Sequence, residues 1–233
     1  MKGAVAPGRV GRSLDAPRVA VPPDVIALWG LTLAVVLALA AAAAQLIDFG
    51  VYGLRIHLLD MSTHASVFGV ISVLALIAAG AAAIELAANR RTCTRWSCVL
   101  PLLLAVLLAL RVIHPAHVLV LALPFAVATF AALWWHVGAP GSRARRLVRV
   151  GCVVLIGSYA VHAVGTTVVS ALGYGAATWP YQVKLVIKHS GELAGWAIVA
   201  TGLVLAHIAL VSARAGEPAQ AHPRQPLPAR RPA

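Results

Sequence analysis

The sequence predicts an all-α, polytopic membrane helix bundle of six transmembrane helices with both termini in the cytoplasm. Three observations predict it. Residues 25–47 and 65–84 contain no charged side chain, 150–183 has only His162 as a potential cation, and 193–213 has only His207. Apolar runs of about 18 or more residues read as membrane-crossing helices, because hydrocarbon leaves no partner outside the segment for a backbone N–H or C=O. The basic residues alternate from one inter-helix segment to the next, and the remaining polar residues gather where the basic ones are sparse.

Taken in order, the spans fall at about 25–48, 63–86, 96–113, 117–137, 148–172 and 187–212. The first lies well inside the chain and is too long for the apolar region of a cleaved leader, so it stays as a signal-anchor. Arg111 leaves only 96–110 uncharged in the third span; an arginine so near a helix end can snorkel to the interface, and a re-entrant pair of segments three and four is the alternative. Pro115 suits the first turn of the fourth span. The N-terminal residues 1–22 and the Pro, Ala and Arg-rich tail 214–233 hold little to bury and are expected to be disordered cytoplasmic extensions of a transmembrane domain at 23–213.

Orientation follows from charge. Of 19 Lys and Arg residues, 15 lie in the N-terminus, the 90–95 and 143–149 loops and the C-terminal tail, against Arg55, Arg111, Lys184 and Lys188 on the other side. Cytoplasmic loops collect the positive charges, so the chain is expected as a multi-pass protein of the cell membrane with the lipid bilayer as its first partner. The net charge of +12 then reflects topology and contact with anionic headgroups. Scattered over loops and without interleaved aromatic residues, these charges give no nucleic-acid-binding surface. Cys93, Cys98 and Cys152 match no paired-cysteine metal or redox spacing and imply no disulfide framework.

The residues that could do chemistry fall on the outer side: Asp48, Arg55, His57, Asp60, His64, Arg111, His114, His117, Lys184, Lys188, His189 and Glu192. They include five of the nine histidines. His57, Asp60 and His64 stand at i, i+3 and i+7, one face of a helix if the second span begins before the hydrocarbon. His189 and Glu192 repeat the i, i+3 relation by which one helix presents two side chains to one metal ion. His162, about 15 Å below the outer end of its span, would form the floor of the site. Gly191 and Gly195 form a G-x-x-x-G pair, with Gly202 near the same face, which lets a neighbouring helix approach beside Glu192. Each feature also has a plain structural use. Interfacial histidines meet water, Lys188 and Glu192 at i, i+4 form an ion pair, Asp60 caps a helix, and glycine pairs serve ordinary packing.

Imidazoles with carboxylates suit zinc or a similar divalent ion, and three protein ligands with one open position would activate water. The expectation is a His/Asp/Glu site at the extracytoplasmic face, with Asp60 and Glu192 as catalytic carboxylates and His57, His64, His114, His117, His162 and His189 as metal ligands. It would act as a metal-dependent hydrolase of lipid or amide substrates, with a lipid or other small molecule as its ligand. In residue type this resembles the alkaline ceramidase-like membrane hydrolases, which have seven spans and an H-x3-H pair where this chain has six and H-x2-H. The segments 59–68 (LDMSTHASVF) and 191–196 (GELAGW) resemble motifs of uncharacterised bacterial multi-span proteins, with His64 standing where an acidic residue is expected; that resemblance implies no activity. The alternatives are a noncatalytic assembly or sensory subunit, a transporter, and a haem protein. P-loop, G-x-S-x-G, H-E-x-x-H and dinucleotide motifs are absent from the sequence.

Overall fold

The computed structural model of the 233-residue chain describes residues 21–60, 66–88, 95–113 and 118–215. Six α-helices follow one another: α1 Pro23–Ile47, α2 Val67–Ala88, α3 Arg95–Ile113, α4 Val118–His136, α5 Arg143–Ala171 and α6 Trp179–Ala215, with one π-helical turn, Asp48–Tyr52, closing α1. No strand occurs among the described residues. Helices α1, α2, α5 and α6 are long and apolar enough to cross a membrane, while α3 and α4 contribute shorter apolar stretches at Val99–Leu110 and Leu123–His136.

Small residues set the packing. Helix α1 buries Ala27, Ala34, Ala41 and Gln45, spaced by seven, seven and four, a narrow stripe that admits a partner backbone. The large side chains Leu28, Trp29, Leu33, Val35, Val36 and Leu39 lie exposed outside that stripe, as a lipid-facing surface requires. Helix α5 buries Ala144, Val148, Gly151, Leu155 and Ser158, at alternating spacings of four and three. Helix α6 is the centre, packed against α5, α1 and α2; α3 lies against α2 and α4, and α4 touches α5.

The expected glycine seam forms between α5 and α6. A Cβ added at Gly195 would collide with Leu155, one at Gly202 would stand 2.6 Å from Val148, and one at Gly151 would stand 2.9 Å from the Gly195 carbonyl oxygen. Gly191 meets Ser158 in the same way, at 2.9 Å. The two helices therefore run antiparallel in one continuous register, backbone close to backbone.

One end of the bundle is rich in arginine. Ser142 caps α5 by accepting a hydrogen bond from the Arg145 backbone N–H at 3.2 Å, and Arg143 pairs with Asp24 at the start of α1. The Arg145 guanidinium donates to the Trp135 carbonyl at 2.9 Å; Arg149 donates to that of Trp134 at 3.5 Å and lies 5.1 Å from the centre of its ring. Cations thus cover the negative C-terminal end of α4.

Among the boundaries that differ from expectation, two bear on the site. Helix α6 starts at Trp179, eight residues before the anticipated 187, because the polar side chains of its first turns are sheltered by α5 and α1. The segment 57–59 is a turn and α2 begins only at Val67, where the Ser66 hydroxyl accepts the Gly69 N–H at 3.1 Å. His57 and Asp60 consequently share no helix face with each other.

Candidate functional site

The other end of the bundle gathers the polar residues, and α6 brings most of them. Contacts between α1 and α6 fix the level of each. Gln45 donates to Gln182 at 2.8 Å in the interior, Phe49 meets Trp179 edge-to-face with ring centres 4.7 Å apart, and Leu193 packs with Ala41, flanked by Leu37, Phe68 and Ile71. Glu192, beside Leu193, thus lies below the end of α1 by about 9 Å, the rise from Ala41 to Ile47. Lys184, two residues after Gln182, lies near the end of α1. Lys188, His189 and Glu192 were expected at the mouth of the sixth span; Glu192 and its two partners sit instead inside the helical layer.

Glu192 is 1% exposed. Its Oε1 accepts the Tyr159 hydroxyl of α5 at 3.0 Å. Its Oε2 lies 3.4 Å from Lys188 Nζ, one turn earlier on α6, and 3.9 Å from His189 Nδ1. Lys188 and His189 also approach each other, Nζ to Nδ1, at 3.5 Å. A buried carboxylate is retained only with such partners, since its desolvation costs several kcal/mol per ion. The glycine seam supplies the proximity: Gly191 on Ser158 brings α5 near enough for the Tyr159 phenol to reach across.

The seam continues toward the helix ends. His162 lies on the α5 face that meets α6, one turn on from Ser158, and its Nδ1 is enclosed without a hydrogen-bond partner among the described residues. Lys184 is 6% exposed; its Nζ donates to the Thr166 hydroxyl at 3.2 Å and lies 4.2 Å from the centre of the Tyr181 ring. Gly165 makes room for its stem, since a Cβ there would stand 2.8 Å from Lys184 Cγ.

Of the predicted site residues, Glu192 and His189 are brought together, and His162 lies along the same seam. Asp60 is buried and His57 exposed, both in the loop before α2. His64, His114 and His117 lie outside the described residues. Among the described residues, no three of His, Cys, Asp and Glu converge as a metal-ligand group.

Sequence reasoning missed Tyr159, Lys184 as a buried cation, the Gln45–Gln182 pair and the burial of Asp48. Asp48 is fully buried; its Oδ1 accepts the Ile56 N–H at 3.0 Å, while Oδ2 has no hydrogen-bond partner among the described residues. Its position was legible, because 27, 34, 41, 45 and 48 continue one stripe of α1. The apolar groove of about 660 Å³ between α1, α2 and α6, lined in part by Trp29, Gly30, Ala75 and Thr201, lies toward the arginine-rich end, away from Glu192. No family model, curated protein or solved structure matches this chain.

Proposed function

We propose that this chain is a multi-pass protein of the cell membrane, with six spans and both termini in the cytoplasm, that binds a polar small molecule or lipid headgroup at a site between α5 and α6 in the outer half of the bilayer. The positive-inside rule sets the orientation, with the arginine-rich end inward. The observation that carries the function is the buried Glu192 carboxylate, held by Tyr159, Lys188 and His189. Ionisable groups within a membrane bundle are costly and mark ligand sites, ion paths or proton relays. At mid-depth the described helices offer no continuing row of charges from Glu192 toward the arginine-rich end, which favours a one-sided binding site over a transmembrane path.

Metal-dependent hydrolysis is the second reading, favoured by His189 and Glu192 sharing one face of α6. The Lys188 ammonium weighs against it, because it already supplies a cation to the carboxylate oxygen a metal would take. The two readings separate on purified full-length protein by native mass spectrometry and metal analysis. The binding reading predicts a co-purifying small molecule or lipid on the wild type that Glu192→Gln loses. Equal ligand content in both proteins contradicts it, and stoichiometric zinc lost on His189→Ala would put the hydrolase reading in its place.

A further inference from the structure

Lys184 is a buried cation whose described partners carry no negative charge. Lys188 is nearer to Glu192 and takes its carboxylate. The Lys184 ammonium has one hydroxyl, that of Thr166, and one ring face, that of Tyr181. The Thr166 hydroxyl donates its own proton to the His162 carbonyl at 2.6 Å, so toward Lys184 it can only accept. An ammonium has three N–H donors. Thr166 takes one and the ring cloud faces another, which leaves a donor for an outside acceptor.

The surroundings present that donor. Lys184 is 6% exposed, its stem lies against Gly165 and its ammonium bonds the hydroxyl of the exposed Thr166, so the head lies just beneath the surface, one side chain from it. The level is that of Gln182 and Gln45, next to the outer end of α1. In the orientation proposed above, this is the depth of the outer-leaflet headgroups. Along this seam the described α5 and α6 side chains offer two lysines, Lys184 and Lys188, against one carboxylate, Glu192.

Resting on the binding-site reading, we infer that Lys184, set by Gly165 and Thr166, is the subsite for a phosphate-class oxyanion, carried by a lipid headgroup or as free phosphate. Lysine serves such groups as a point charge. Glu192 then supplies the fixed negative charge that keeps Lys188 from competing for the same anion.

The test titrates the detergent-purified full-length chain with phosphatidylglycerol, with diacylglycerol, which lacks the phosphate, and with inorganic phosphate, counting adducts by native mass spectrometry. Phosphatidylglycerol is expected to bind in preference to diacylglycerol. Lys184→Met should weaken it about tenfold, the loss of one charge-assisted hydrogen bond, and Lys184→Arg should retain most of it. Gly165→Ala keeps the lysine and favours the helix but displaces its stem, so it should also weaken binding and serves if Lys184→Met does not fold. Binding of inorganic phosphate competing with the lipid identifies the free ion as ligand; lipid binding without it identifies the headgroup. Equal binding by wild type, Lys184→Met and Gly165→Ala, or no preference over diacylglycerol, overturns the subsite. If Glu192→Gln loses its co-purified ligand while Lys184→Met keeps it, the binding site stands and only the oxyanion assignment falls.

Discussion

Glu192 shows how a carboxylate buried in a bundle of apolar helices is kept. Its two oxygens face different helices, Oε1 the Tyr159 phenol and Oε2 the Lys188 ammonium, so neither neighbour alone satisfies it. Removing one member of a buried ion pair strands the other, whereas removing both exchanges charge for packing. Lys188→Met should therefore lower stability by about 3 kcal/mol, and the double variant Lys188→Met/Glu192→Gln by clearly less, measured as denaturation in detergent. Tyr159→Phe removes one hydrogen bond to a charged group and should cost about 1 to 2 kcal/mol without changing helix content. Additive losses in the double variant would show that Lys188 and Glu192 do not act as a pair. The residue types at this site were legible in the sequence, since Lys188, His189 and Glu192 stand at helical spacing. Tyr159 was not, because nothing in α5 marks which of its faces meets α6.

At the scale of elements, the helices and their order were legible because apolar runs and proline and glycine punctuation set them. The start of α6 was not. Hydropathy counts Lys184, Lys188, His189 and Glu192 as solvent-bound, and it cannot register that α5 and α1 shelter them. The stripe His57, Asp60 and His64 failed over 57–60 for a local reason. Gly53 and Leu54 both take left-handed backbone, φ 62°, and the chain turns at 57–59 before Ser66 caps α2. The G-x-x-x-G signal in α6 did identify a close helix contact, and it extends to Gly151 on α5. Gly195→Leu and Gly151→Leu should force α5 from α6, with an overpacking loss of about 1 to 3 kcal/mol and release of the Tyr159 to Glu192 bond. Gly157→Ala, where an added Cβ meets nothing within 4 Å, should instead be neutral or stabilise by about 0.5 to 1 kcal/mol. Equal thermal shifts for Gly195→Leu and Gly157→Ala would contradict the seam.

On the scale of the whole molecule, the bundle is polarised. Arg143, Arg145 and Arg149 are tied to Asp24 and to the carbonyls of α4 at one end, while Gln45, Asp48, Gln182, Lys184 and Glu192 are buried toward the other. Charge counting predicted such a division from loops alone; it could not foresee that the polar end is an interior layer between α1, α5 and α6. The measurement that reaches this most directly is single-cysteine labelling of intact cells with a membrane-impermeant maleimide, in a background lacking Cys93, Cys98 and Cys152. Cysteine introduced by Gly175→Cys, in the loop above Lys184 and Glu192, should label from outside, and Ser142→Cys, at the cap of α5, only after permeabilisation. Labelling of Ser142→Cys in intact cells with protection of Gly175→Cys would place the Glu192 end inward and contradict an outward-facing binding site.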